Sequence, residues 1–147
     1  MASTFASSVL IDAPVADVFR FHERPDALSL LTPAFPPVRL VQQSGGIQAG
    51  ARVVLRVGWV ITWVALHTVY VKDRLFVDEQ VQGPFARWVH RHEFEEAGGR
   101  TRLTDRVTYL LRGGALLTRA ASPAVRLGLT RMFAHRHAVT KRICEAR

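Results

Sequence analysis

The sequence predicts an α+β fold in which a curved antiparallel sheet of about seven strands wraps around a long C-terminal helix. Two short helices are expected between the first strand and the second. Three observations lead to this. Residues 38–111 form a succession of β-branched and aromatic runs broken by turn residues, which is hairpin succession rather than alternating strands and helices. Apolar residues change to helical spacing after Ser122-Pro123. A helix-start signal at Pro14 and a helix-stop signal at Pro33 bracket a short helical segment near the beginning.

Phe5 to Ile11 is an apolar-rich run suited to an edge strand, stopped by Asp12-Ala13-Pro14. Pro14 suits a first helical turn with Asp12 or Ala13 near the cap, and Val15, Val18, Phe19, Leu28 and Leu31 supply the apolar positions of two helices parted by Pro25. Pro33-Ala34-Phe35-Pro36-Pro37 cannot continue a helix and reads as a rigid connection. Strands are expected over Val38–Gln43, Ala51–Val57, Trp59–Val71, Leu75–Val81, Phe85–Glu96 and Thr101–Leu111. The turns between them fall at Gly45-Gly46, Gly58, Lys72-Asp73, Gly83-Pro84 and Gly98-Gly99. From Pro123 to Arg147 a helix of roughly 24 residues would be about 36 Å long, enough to cross the sheet.

With 147 residues, 48% hydrophobic and 22% charged, the chain suits one folded domain, so residues 1–147 are read as a single unit with one site. No run approaches the length of a membrane span, and the start MASTFASSVLIDAP has neither a basic leader nor a long apolar stretch. The expected compartment is the cytoplasm. The net charge of +8 raises nucleic acid as a partner, but the cations are nearly all arginine and scattered through strands and helix. A solvated helix face explains the densest stretch, Arg119 to Arg147, and no nucleic-acid partner is expected. Cys144, the sole cysteine, has no disulfide partner and is read as inert.

Alternation sorts the last strands into two faces. Arg87, Val89, Arg91, Glu93 and Glu95 take the outside, leaving Trp88, His90, His92 and Phe94 inside. Arg102 and Arg106 likewise put Leu103, Asp105, Val107 and Tyr109 inside. The strand from Trp59 is apolar on both sets, which suggests burial on two sides or a homodimer contact. The final helix carries its stripe at Val125, Leu129, Met132, Phe133, Val139 and Ile143, with Arg136 inside it. An inward arginine needs a partner, and Asp105 or Asp78 is the natural one.

These residues resemble a known family. Phe76-Val77-Asp78-Glu79-Gln80, Gly83-Pro84-Phe85, then Trp88, His90, His92, Phe94, Gly98-Gly99, Thr101, Asp105, Val107 and Tyr109 are similar to the cell-division-inhibitor-like, ligand-binding branch of the SRPBCC superfamily. Ala13-Pro14, Val18-Phe19, Phe21-His22, Pro25, Leu28, Leu31 and Thr32-Pro33 resemble its opening, and Phe133 with Arg136 its closing helix. The superfamily includes START lipid-transfer domains, polyketide cyclases and the birch-pollen-allergen fold. The resemblance implies a helix-grip fold and turns Trp63, Phe76, Asp78 and Gln80 toward a cavity, with His67 on the same face. His67 departs from the usual aliphatic residue there, and Leu110-Leu111-Arg112-Gly113 replaces a loop where proline is common.

The inward polar set of His67, Asp78, Gln80, His90, His92, Asp105, Tyr109 and Arg136 admits several readings. One is a hydrogen-bond network that fixes helix against sheet. Another has these groups, with the apolar Trp63, Phe76, Trp88, Phe94 and Met132, binding a hydrophobic or amphipathic molecule as carrier or sensor. A third is a polyketide cyclase-type enzyme in which His90 or His92, oriented by Asp78 or Asp105, acts as base while Tyr109 or Arg136 steadies an enolate. The His-x-His pair is a weak metal signal, and the resemblance implies neither metal nor cofactor. A protein-interaction module is the remaining alternative. The carrier reading is the expectation, with no enzymatic activity assigned.

Overall fold

The computed structural model describes residues 2–146. Its elements run β1 (Ser3–Ile11), α1 (Val15–His22), α2 (Ala27–Leu31), β2 (Val38–Ser44), β3 (Arg52–Val57), β4 (Ile61–Val71), β5 (Leu75–Gln82), β6 (Phe85–Ala97), β7 (Arg100–Leu111) and α3 (Ala115–Glu145). All neighbouring strands are antiparallel, in the order β1-β7-β6-β5-β4-β3-β2. The first strand therefore closes onto the last, and the hairpin series fans away from it. This is the helix-grip arrangement the sequence predicts.

Alternation places the faces as expected on β6 and β7. Trp88, His90, His92, Phe94, Leu103, Asp105, Val107 and Tyr109 are all buried, while Arg87, Arg91 and Arg102 are exposed. The strand after Gly58 differs from expectation in two ways. Trp59 and Val60 lie in the turn, 84% and 85% exposed, so the strand begins at Ile61 rather than at Trp59. Thr68 is an extra residue in β4: His67 pairs with Asp78 and Val69 with Val77, so the strand changes phase between them. Tyr70 consequently joins Phe76 on the inner side, and Val69 turns out.

The end of the chain departs further. α3 begins at Ala115, well before Pro123, which sits inside the helix. Proline at that point deprives the Arg119 carbonyl of its helical donor, but Arg119 and Pro123 are both exposed, so water can serve instead. The start is pinned by Thr118, whose hydroxyl donates to the Gly114 carbonyl at 2.8 Å and accepts the Leu111 N–H at 2.9 Å. At the other end of the chain Pro14 is the cap residue of α1 rather than its first turn, and no side chain caps that helix.

Two apolar clusters hold the layers together. Under α1, Phe19 meets Phe76 and Phe94 edge to face, with Ile11, Val18 and Leu103 around them. Under α3, Phe133 stacks on Phe5 at 5.9 Å between ring centres, beside Val107, Tyr109 and Leu129. α3 packs chiefly on β1 and β7, at one side of the concave face. The other side, over β3 to β5, keeps open space beneath it.

Candidate functional site

That space is a cavity of about 650 Å³ between the sheet, α3 and the α1–α2 segment. Its walls are mainly apolar. Trp63, Phe85 and Trp88 form one aromatic wall, with Trp63 perpendicular to Trp88 at 5.1 Å between ring centres. Val53, Leu55 and Ala65 line the sheet side, and Val125, Leu129 and Met132 the helix side. Asp78, His90, His92 and Arg136 form one polar region of the lining, and His22, Arg24, Thr32, Gln43, His67 and Arg131 also border the space.

The polar region is built on three adjacent strands. β6 carries His90 and His92 one pleat apart, with ring centres 3.7 Å from each other. β5 supplies Asp78, the cross-strand partner of His90, and β7 supplies Asp105, the cross-strand partner of His92. The two imidazoles therefore lie between two carboxylates. His92 Nε2 donates to Asp78 Oδ2 at 2.9 Å and His90 Nε2 donates to Asp105 Oδ1 at 2.8 Å. Their other nitrogens face the opposite acids, His92 Nδ1 at 3.2 Å from Asp105 Oδ1 and His90 Nδ1 at 3.9 Å from Asp78 Oδ2. From α3, His137 Nε2 donates to Asp105 Oδ2 at 2.6 Å.

This crossing sets the charges. Burial alone would raise the Asp78 carboxyl, but the His92 bond and the nearby imidazoles hold it down to about 2. Burial likewise opposes ionisation of Asp105, yet bonds from His137, His90 and His92 keep it well below the usual carboxylate range. Burial pulls the His92 imidazole down, and its two carboxylate partners more than reverse this. His90 moves the other way, because burial and the neighbouring His92 outweigh Asp105. Two groups of the same type on one strand are thus driven apart by their surroundings.

Of the residues singled out in the sequence, Trp63, His67, Phe76, Asp78, Trp88, His90, His92, Met132 and Arg136 border the cavity. Gln80, Phe94, Asp105 and Tyr109 stand behind its wall. Tyr109 is fully buried and hydrogen-bonds Ser122 at 2.8 Å, and Phe94 belongs to the cluster under α1. Gln80 holds the β5–β6 turn, donating from Nε2 to the Phe85 carbonyl at 2.7 Å and accepting the Phe85 N–H at 3.1 Å.

The expected pairing of Arg136 with Asp105 or Asp78 is not formed. Its Nε is buried without a hydrogen-bond partner among the described residues, and the guanidinium carbon lies 6.0 Å from the centre of the Phe133 ring. One position along the helix, His137 points at the sheet in its place, four residues after Phe133. The signal for this lies in the spacing Phe133, His137, Thr140, all buried on one side. Sequence reasoning also missed the contributions of His22, Leu31 and β3 to the cavity, although Val53 and Leu55 share one face of an alternating strand.

Comparison with known proteins adds three findings. The sequence profile of the family described as polyketide cyclase/dehydrase and lipid transport matches residues 11–137. No curated protein matches this chain. Among solved structures, a nucleoside-diphosphate sugar epimerase from Corynebacterium glutamicum is 26% identical with a TM-score of 0.77. The match covers 94% of this chain but 28% of that one, so this chain spans under a third of that relative's length. The ZhuI aromatase/cyclase from Streptomyces sp. R1128 aligns at 15% identity and a TM-score of 0.77, over 100% of this chain and 96% of that one. Norcoclaurine synthase from Thalictrum flavum aligns at 12% identity and a TM-score of 0.74, over 100% and 89%. The last two likenesses establish the fold.

Proposed function

This chain belongs to the polyketide cyclase/dehydrase and lipid-transport family of the SRPBCC superfamily, and on that premise we propose that it binds a hydrophobic or amphipathic small molecule in its internal cavity, as a carrier or sensor. One observation carries the reading: the cavity of about 650 Å³ is apolar on most sides and polar at Asp78, His90, His92 and Arg136. A volume between about 300 and 1,000 Å³ suits a ligand of lipid-like or polyketide-like size. Each methylene placed against Trp63, Leu55 or Met132 contributes about 0.8 kcal/mol. The buried Nε of Arg136 is a donor with no acceptor among the described residues, so an oxygen at one end of the guest would both satisfy it and fix the orientation.

The test is uptake. Native mass spectrometry of the purified protein and titration with an environment-sensitive naphthalene-sulfonate dye are expected to show one guest per chain, with quenching of Trp63 and Trp88. Absence of both a bound guest and a saturable dye site overturns the reading.

A second reading, an enzyme of the cyclase type, draws support from the His90–Asp105 contact of 2.8 Å beside the cavity. Burial and the neighbouring His92 lower the His90 imidazole below its ordinary value and Asp105 fixes its ring, which suits a base that removes a proton beside a carbonyl, while Arg136 steadies the enolate oxygen. Turnover of a model poly-β-ketone, lost in His90→Ala and retained in a surface variant such as Arg102→Ala, distinguishes enzyme from carrier.

A further inference from the structure

We propose that Asp78, His90 and His92 form a zinc site whose open coordination position faces the cavity. The inference concerns metal alone and stands whether or not the cavity carries a guest.

The donor set is that of an open zinc site, two imidazoles and one carboxylate with a fourth position left for water or ligand. One ligand atom from each of the three lies within 4.8 Å of the other two. Tetrahedral zinc places its ligand atoms about 3.3 Å apart. Asp78 Oδ2 stands 2.9 Å from His92 Nε2 and 3.9 Å from His90 Nδ1, on either side of that spacing. Adjacent strands hold all three residues, so only side-chain adjustment is needed to close around an ion.

The surroundings fit a metal more closely than the three ligands alone would indicate. A metal-bound imidazole ordinarily gives its outer nitrogen to a carboxylate, which fixes its orientation. Here one carboxylate holds the outer nitrogen of one ring and borders that of the other. Asp105 Oδ1 takes His90 Nε2 at 2.8 Å and lies 3.2 Å from His92 Nδ1, so the inner nitrogen of each ring is turned toward Asp78. Asp105 is itself held by His137 at 2.6 Å, which extends the support to α3. Beside Asp78 on the inner face, the buried Nδ1 of His67 has no partner among the described residues, and a water on the metal is the kind of group that would supply one.

A network built only for hydrogen bonding would hold the same distances without binding an ion, and metal binding separates the two. Protein dialysed against chelator is titrated with zinc and with cobalt(II) as the visible probe. The expected result is one equivalent bound, cobalt absorption of four- or five-coordinate intensity, and at least 100-fold weaker binding in Asp78→Asn and in His92→Ala. Asp105→Asn, a positioning variant, is expected to weaken binding about 10–100-fold. Cys144→Ser is expected to bind as the wild type does. Because loss of a buried carboxylate can itself unfold a variant, the zinc K-edge spectrum of the loaded wild-type protein provides a readout without substitution, with two imidazoles and oxygen in the first coordination sphere. No stoichiometric binding, sulfur ligation, or undiminished binding in folded Asp78→Asn overturns the proposal. Dye uptake by the same metal-free protein reports on the cavity separately, so failure of one reading leaves the other standing.

Discussion

His137 on α3 donates to Asp105 on β7 across 2.6 Å, with both side chains buried, and this bond ties the long helix to the layer that carries the polar cluster. Truncating His137 leaves a buried carboxylate one donor short. His137→Ala is therefore expected to cost about 2–4 kcal/mol in urea denaturation. Arg136→Ala, one residue away, removes no ion pair and is expected to change stability by less than about 1 kcal/mol. Equal losses for the two variants would mean that the helix is held otherwise.

The contrast between these neighbours shows where the sequence is legible. Alternation on β6 and β7 is unambiguous because arginines mark the outer face, so the pattern alone turns Trp88, His90, His92 and Asp105 inward, where all four are buried. On α3 the same reasoning follows apolar residues, and the inner side is partly polar at His137 and Thr140, both buried. A stripe drawn through apolar positions alone slides onto Arg136. Thr68 is hidden for a related reason: an extra residue in a strand apolar on both faces leaves no mark in the pattern. Pro123 reads as a helix start, yet the hydrogen bond it removes belongs to an exposed residue and costs less than in a buried helix. The identity of any guest lies further still from the sequence, because it depends on the volume left between elements rather than on any motif.

His22 makes stability depend on acid. Its ring is buried among Phe21, Phe76 and Phe94, with Nδ1 donating to the Val18 carbonyl at 2.8 Å. Burial, with the nearby charges of His92 and Arg136 outweighing Asp105, pushes it from 6.5 down to about 4. The folded form therefore binds fewer protons than the unfolded chain between these values, and stability falls as pH is lowered through that window. The full effect is about 3 kcal/mol. Asp78 and Asp105 are depressed instead, so their contribution is lost at lower pH, below the 3.8 of an ordinary aspartate. His22→Gln, which keeps a donor and cannot titrate, is expected to flatten the profile between pH 6.5 and 4 in denaturant melts. A profile as steep as that of the wild type would reject His22 as its source.

Gly83 accounts for the Gly-Pro-Phe part of the motif. Its φ is +156°, and a Cβ there would overlap the Gln80 carboxamide. That carboxamide holds both backbone groups of Phe85, and Phe85 in turn braces Trp63 and Trp88. Gly83→Ala is expected to cost about 1–3 kcal/mol and to loosen the aromatic wall. The second effect is read as a red shift in tryptophan emission. Unchanged stability and emission would show that the turn tolerates displacement of Gln80.

The cavity itself can be closed without touching the polar cluster. Gly128 borders it from α3, one turn from Met132, and a Cβ built there meets nothing within 4 Å. Its backbone is helical, so a larger residue is not strained, and replacing glycine within a helix adds up to about 1 kcal/mol of stability. In Gly128→Leu the branched side chain occupies room that a guest would need. Guest binding and fold stability are then expected to part: the melting temperature holds or rises, while dye uptake falls at least tenfold. Destabilising variants cannot give this combination, because a loosened core loses binding and melting temperature together. If Gly128→Leu takes up dye as well as the wild type does, the space beside α3 is not where the guest sits, and the binding reading loses its observation.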